Sequence, residues 1–380
     1  MNSVYEFALL GEPSQEQVEE ITSLVADVLS MFNLSLGVEV GWHVQPLKFV
    51  PKPLSSSAVL FFGTPGASLP DGAESFRRSV PIVPVVSDFS MANLELPPEL
   101  RPLNALSYAE AGARRTVTAL LECAGLLPRQ RRVFLSYRRD EARSAAIQLF
   151  DAFSARHFDV FLDTHGVAPG DDFQATLWHR LCDSDVLVML DTQTYFASRW
   201  TSAEFGRALA KNIPVLRVGW PDCVPSSRIS TSSQEVLGEE DIDLDSGTMM
   251  PAAVSRVCSR LELLRSESIA VRRINLISGL THSVERIGGH IDGIGMGNGI
   301  YLSLPDGKRL IAFPSVGVPT SLTLEEALAL SSDRSSLVLY DHIGLHRDWL
   351  RHLDWLGSQI AKPRWVKAAE AAWQLADWVD

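Results

Sequence analysis

Between Val133 and Trp220 the chain carries four short apolar runs, VFLSY, FDVFLD, SDVLVML and NIPVLRVGW. Helically patterned stretches at Ala142–Arg156 and Trp200–Lys211 separate them in pairs. Runs this short and this uniformly apolar predict strands buried on both faces. Alternation with helices then predicts a parallel sheet covered on either side, a doubly wound α/β domain.

At 380 residues the chain is long for one domain, and its character changes on both sides of this segment. Residues 1–128 also alternate: an apolar start at Tyr5–Leu10, a helical pattern at Gln15–Met31, apolar runs at Ser57–Phe62 and Val80–Val86, and a helix at Ala109–Leu126. They predict a smaller open-sheet domain of Rossmann-like kind. The proline-bearing, basic stretch Leu127–Arg132 reads as a linker. Pro221–Met250 is polar and holds six acids between Glu235 and Asp245, which predicts a solvated loop ahead of a helix at Ala252–Leu264. A second helix at Ile269–Arg286 leads to a glycine run, Gly293–Gly299, and to a hairpin in which Pro305-Asp306-Gly307 turns between two strands. The expected domains are therefore 1–128, 131–264 and 266–380, the last an α+β unit.

There is an internal echo. SAVLF followed by VPIV in the first segment resembles SDVLV followed by IPVL in the second, so the first domain is a candidate diverged copy, although apolar strands resemble one another by composition alone.

A net charge of −12 disfavours direct nucleic-acid and anionic-membrane binding, both of which rest on basic patches. No apolar run is long enough to span a bilayer, and MNSVYEFALLGEPSQE has no positive n-region, so a cytoplasmic protein is expected. The four cysteines are far apart with no CxxC spacing, which predicts buried thiols in a reducing compartment.

Ligands of open α/β sheets bind outside the carboxyl ends of the strands, which here are Ser136–Asp140, Asp163–Asp172 and Asp191–Glu204. Trp200 and Glu204, spaced i,i+4, share a helical face and set an aromatic plane beside a carboxylate. Such a pair stacks a planar heterocycle and stabilises positive charge on a sugar whose glycosidic bond is breaking. The competing reading is a capping box, Thr201-Ser-Ala-Glu204, in which Glu204 satisfies backbone donors and Trp200 is packing.

Four motifs in order, FLSYRRDE, FDVFLDTHGVAPGDDFQATLWHRLCDSDVLVML, SRWTSAEFGRAL and IPVL, resemble the TIR (Toll/interleukin-1 receptor) domain, in particular the NAD-hydrolysing TIRs of bacterial immunity. The resemblance covers Arg131–Leu264. It implies a flavodoxin-like fold, a TIR-like character for the first domain if that is a copy, and NAD+ as substrate, with no cofactor and no metal. The implied reaction cleaves the nicotinamide–ribose bond to nicotinamide and ADP-ribose or a cyclic variant, in antiviral defence and signalling. By position, Glu204 resembles the catalytic glutamate, Trp200 the aromatic of WxxxE, and Tyr137 and Arg138 the segment lining the nucleotide site. Phe161, Asp163 and Gly170 match the second strand and the loop after it, which in family assemblies completes a neighbour's pocket. Ala168 and Pro169 stand where many members carry a charge. Self-association through TIR domains follows, with the flanking domains as places for an activating ligand or partner. Many TIR domains are adaptors, so a non-catalytic scaffold is the alternative.

Three other features point to no chemistry. Asp341, His342, His346 and His352 read as capping or exposed groups rather than metal ligands, because Gly344 interrupts them and no HExxH is present. The Gly293–Gly299 run precedes a hairpin instead of opening a helix, so it reads as a flexible loop. Trp365, Trp373 and Trp378 are read as one tryptophan-bearing terminal helix, with its rings either in the core or forming an aromatic surface for a partner or ligand.

Overall fold

In a computed structural model the structure describes residues 3–73, 76–127, 130–162, 173–197, 199–221, 223–226, 229, 233–243, 245–331 and 334–378. The chain resolves into two compact units, one of 128–269 with 343–346, the other of 1–127, 270–342 and 347–380. All of the expected segments 1–128 and 266–380 except residues 128, 266–269 and 343–346 thus fall within one unit, each with a sheet of its own.

In the 128–269 unit the four apolar runs become β6 (Arg132–Ser136), β7 (Asp159–Leu162), β8 (Val186–Asp191) and β9 (Val215–Gly219), numbered after the five strands of the first segment described below. With β10 (Ser233–Val236) they form one parallel sheet in the order β10-β9-β8-β6-β7. Side chains alternate between two cores. Val133, Leu135, Val186 and Val188 pack toward Leu149 and Phe153 of α4 (Arg139–Ser154) and Val257 and Leu261 of α7 (Pro251–Arg286). Phe134, Leu187 and Met189 pack toward Leu177 of α5 (Phe173–Asp183) and Phe205 and Ala208 of α6 (Arg199–Ala210). Burial on both faces explains why the central strands β6, β8 and β9 are mainly apolar.

Four expectations change here. The acid-rich stretch is no simple solvated loop: it supplies β10 and a small hairpin, β11 (Ile242–Asp243) with β12 (Thr248–Met249), and buries Leu237, Ile242 and Met249. Arg256 draws its acids in, at 2.7 Å from Glu235 and 2.6 Å from Asp241. The basic residues of the expected linker belong partly to the core. Arg131 is fully buried and donates twice to Glu262, at 3.0 and 2.7 Å, and Arg132 opens β6. The two helices expected at 252–264 and 269–286 are one, α7, because nothing from Ala252 to Leu276 breaks a helix and Arg265 is buried on Asp185 at 2.9 Å. Arg265, Ser266 and Ser268 are buried, which carries the unit to Ile269, past the expected end at Leu264.

In the other unit β1 (Tyr5–Gly11), β2 (Val40–Val44), β3 (Ser56–Phe62), β4 (Ile82–Val86) and β5 (Leu106–Ser107) form a parallel sheet in the order β2-β1-β3-β4-β5. Helix α1 (Gln15–Met31) starts on a capping box of Ser14 and Gln17, α2 (Ala92–Glu95) follows β4, and α3 (Tyr108–Cys123) follows β5. The C-terminal sheet runs β13 (His290–Ile294), β14 (Ile300–Ser303), β15 (Arg309–Ser315), β16 (Ser335–Tyr340) and β17 (Arg364–Lys367). Its first three strands are antiparallel and its last three parallel, joined by α8 (Ser321–Ser331) and α9 (Arg347–Gln359) and followed by α10 (Ala371–Ala376). Val59, Phe61 and Ile82 of the first sheet share a core with Tyr301, Ile311, Phe313 and Val338 of the last.

Pro305-Asp306-Gly307 makes the expected turn, Gly307 at φ +85° donating to the Leu304 carbonyl. The glycine run is a packed turn and not a free loop: Gly295 donates to the Gly299 carbonyl, and a Cβ on Gly297 would lie 2.3 Å from Leu330. The tryptophans do not share one helix. Trp365 lies in β17, Trp373 on α10 is exposed, and Trp378 is buried under the Arg364 guanidinium at 4.5 Å. No helix among the described residues is long and apolar enough to cross a membrane.

Candidate active site

The order of the 128–269 sheet reverses direction between β6 and β8, and the carboxyl ends of these strands are where a doubly wound sheet opens a crevice. Ser136 closes β6, Asp191 closes β8, and Tyr195 opens the short turn Tyr195–Ala197 before α6. Glu204, in the second turn of α6, points its carboxylate at this end and is only 5% exposed.

A buried polar chain runs through it. Ser136 Oγ donates to Glu204 Oε2 at 2.5 Å and lies 2.7 Å from Tyr195 Oη. With its one hydrogen given to the carboxylate, Ser136 accepts from the tyrosine hydroxyl. Burial first, and then the Glu204 charge, push the Tyr195 hydroxyl well above its ordinary value, so it stays protonated and remains a donor. Tyr195 is itself fixed by an edge-on contact with Phe196 at 5.1 Å, and its carbonyl accepts from the Thr201 hydroxyl. Thr201 thus lies inside α6 and donates, whereas a capping box needs it ahead of the helix as an acceptor.

Two other carboxylates at this end are committed. Asp191 forms a buried pair with Arg217 Nε at 2.6 Å, and that guanidinium lies against Gly219, where a Cβ would come within 2.3 Å of it. Glu141 binds the Thr194 backbone N–H at 3.3 Å and the Thr194 hydroxyl. Burial opposes the Glu141 charge, yet Thr192, Thr194 and the nearby Arg138 together hold its carboxyl below the ordinary value. Among the described residues no cluster of three or more His, Cys, Asp or Glu is placed to hold a metal.

The profile of the TIR domain matches residues 133–246. This segment is a TIR domain. No curated protein matches the chain. Among solved structures the chain is similar to tagatose-6-phosphate ketose/aldose isomerase from Escherichia coli, at 12% identity over 71% of this chain and 83% of that one, with a TM-score of 0.20. It is also similar to proximal thread matrix protein 1 of the mussel byssus, at 10% identity over 70% of this chain and 96% of that one, with a TM-score of 0.21. At those scores neither likeness informs fold or function.

Within the TIR domain the residues singled out from sequence part company. Glu204 lies at the crevice. Arg138 is half-buried beside it and donates from Nη1 to the Thr194 carbonyl at 3.2 Å. Tyr137 is 4% exposed and belongs to the core under α4, and Phe161 on β7 packs against Phe134 at 5.1 Å. Trp200 occupies the first turn of α6, but its side chain lies outside the described residues, as do Asp163, Gly170 and the Val167–Gly170 turn. Sequence reasoning missed Tyr195 and Arg217, and it gave Ser136 no role. The one available signal was polarity: Ser136 and Arg217 each interrupt an otherwise apolar strand.

Proposed function

We propose that the TIR domain hydrolyses NAD+ at the nicotinamide–ribose bond, with Glu204 as the catalytic carboxylate. The observation that carries this reading is the buried Glu204 carboxylate at the β6/β8 crevice, oriented by Ser136 and Tyr195. As the C1′–N bond breaks, its electron pair neutralises the pyridinium nitrogen and nicotinamide leaves without a general acid. Positive charge grows on the ribose, where a carboxylate stabilises it. Water then bonds to C1′ and releases a proton, giving ADP-ribose; attack by a group of the ADP-ribose itself gives the cyclic variant. One carboxylate suffices, in keeping with the commitment of Asp191 to Arg217. Trp200 would stack one ring of NAD+, and Arg138 would meet its charge. In this reading the protein is an antiviral effector, active when TIR domains self-associate.

The adaptor reading draws on one observation, the hydrogen bond that gives Glu204 a structural partner in Ser136. Nicotinamide release by concentrated wild-type protein beside Glu204→Gln separates the two. Release abolished by the substitution supports the hydrolase, and no release from folded wild type, with and without phage infection of the expressing cells, supports the scaffold.

A further inference from the structure

We propose that the unit built from 1–127 and the C-terminal sheet holds a second small-molecule site, for an anionic, ring-bearing ligand of mononucleotide size. The site is a cavity of about 410 Å³ beyond β4, under the chain that runs from α2 to β5. That volume lies within the range of small-molecule sites. Its lining includes Phe89, Asn93, Arg101, Asn104, Met296 and Arg334, and among the described residues no acid lines it, in a chain whose net charge is −12.

Both guanidiniums are held in place and lack a carboxylate partner among the described residues. Arg334 donates from Nη1 to the Pro102 carbonyl at 2.6 Å and lies over the Tyr301 ring at 5.5 Å. Tyr301 is anchored in turn by the Asn104 backbone N–H at 3.0 Å. Arg101 donates from Nε to the Leu96 carbonyl at 3.0 Å, which leaves the two terminal nitrogens of its fork as donors. Paired planar forks recognise phosphate or carboxylate oxygens bidentately, and a guanidinium already fixed by a carbonyl and a ring loses little freedom on binding. Elsewhere in the protein buried arginines are matched with acids, Arg131 with Glu262, Arg217 with Asp191 and Arg265 with Asp185. Arg101, which is exposed, and Arg334, which is half-buried, meet at one cavity instead, with no acid in its lining among the described residues.

The rest of the lining supplies what a ring needs. Phe89 stands on the turn Phe89–Met91 and is 53% exposed, and Leu96, Leu103 and Met296 add apolar wall. Asn93 contributes an exposed amide able to read a ring edge. The anion would sit between the arginines and the ring against Phe89. This site is separate from the TIR crevice and does not depend on the NAD+ reading.

The test uses the full chain and isothermal titration with AMP, adenosine and inorganic phosphate as probes. AMP is expected to bind once per chain, with adenosine and phosphate each at least about tenfold weaker. Arg101→Gln and Phe89→Ala, both exposed positions, should weaken AMP at least about tenfold while leaving the thermal midpoint unchanged. Glu204→Gln should leave AMP affinity intact. The proposal is overturned if AMP does not bind at millimolar concentration, if Arg101→Gln and Phe89→Ala leave its affinity unchanged, if phosphate alone binds as well, or if binding is lost in Glu204→Gln instead.

Discussion

The β1–β5 sheet and the β6–β10 sheet share one topology. Each runs, counted within itself, second strand, first, third, fourth, fifth, all parallel. The sequence echo falls on equivalent places, since SAVLF lies in the third strand of the first sheet and VPIV leads into its fourth, while SDVLV and IPVL lead into the third and fourth of the second. Yet the crevice at the reversal point differs. Between β1 and β3 it is laced shut: Glu12 donates its N–H to the Phe62 carbonyl at 3.1 Å, and Gly11 lies so close that a Cβ would come within 2.0 Å of that oxygen. Thr64 bonds the Glu12 carboxylate across the same gap at 3.2 Å. Between β6 and β8 the loops are tied as well, Arg138 and Glu141 to Thr194, but at the strand ends the chain places the polar chain of Ser136, Tyr195 and Glu204. The connection after the third strand differs too, α6 in the TIR domain and no α-helix among described residues 63–81 in the other. Strand order alone therefore does not make a site; the loops at the reversal point do.

The contrast has its largest expression in catalysis. Glu204→Gln should lower nicotinamide release by about 10²–10³-fold or more, measured by chromatography of the products, with the thermal midpoint little changed. A comparable loss from a change at Glu12 would break the comparison. Next is the closed crevice itself. Gly11→Ala combines φ +76° with a backbone clash, and is expected to destabilise the protein by roughly 2–4 kcal/mol in chemical denaturation. A neutral result would mean the β1–β3 gap is not closed. Smaller effects probe the polar chain at β6 and β8: Ser136→Ala should reduce turnover about tenfold, and Tyr195→Phe, one bond further from the carboxylate, by a few fold. Equal effects would contradict a chain that runs from Tyr195 through Ser136.

The smallest effect is on pH. Glu6 on β1 is buried, which disfavours its charge, but Lys52 at 2.9 Å, Ser3 and His43 at 2.6 Å bring its carboxyl below the ordinary value. A carboxyl lower in the folded than in the unfolded chain adds stability above its unfolded value, and that stability is lost as pH falls through the folded one. Thermal midpoints between pH 6 and pH 3 should therefore fall less steeply in Glu6→Gln than in wild type.

Much of this was legible before the structure. Strands with two buried faces announce themselves, as VFLSY and SDVLVML do. Two edge strands did not: β2 and β10 mix polar and apolar residues, and SQEV sits inside an acid-rich stretch, whereas the edge strand β7 showed itself by its apolar run FDVFLD. The tryptophans misled because composition carries no register, and RWVK is a strand joined to the parallel ladder of β16. Glu204 was singled out because the TIR resemblance in SRWTSAEFGRAL is local; its spacing from Trp200 fitted a capping box equally well. The partnership of Ser136, Tyr195 and Glu204 was not, because it is made by the crossover from β6 to β8 and by no interval along the chain. Arg217 looked out of place in its strand until Asp191 faced it.

The TIR domain interrupts the chain of the other unit, whose core needs Tyr301, Ile311 and Phe313 beside Val59 and Ile82. On the ribosome those partners emerge only after the whole TIR domain has been made, a delay on the order of 10 s at ordinary elongation rates. During that interval the first sheet has one apolar face without its native cover, and by its end the TIR domain has every strand of its sheet. Birth order thus runs opposite to chain order: the middle matures first, and the beginning waits for the end.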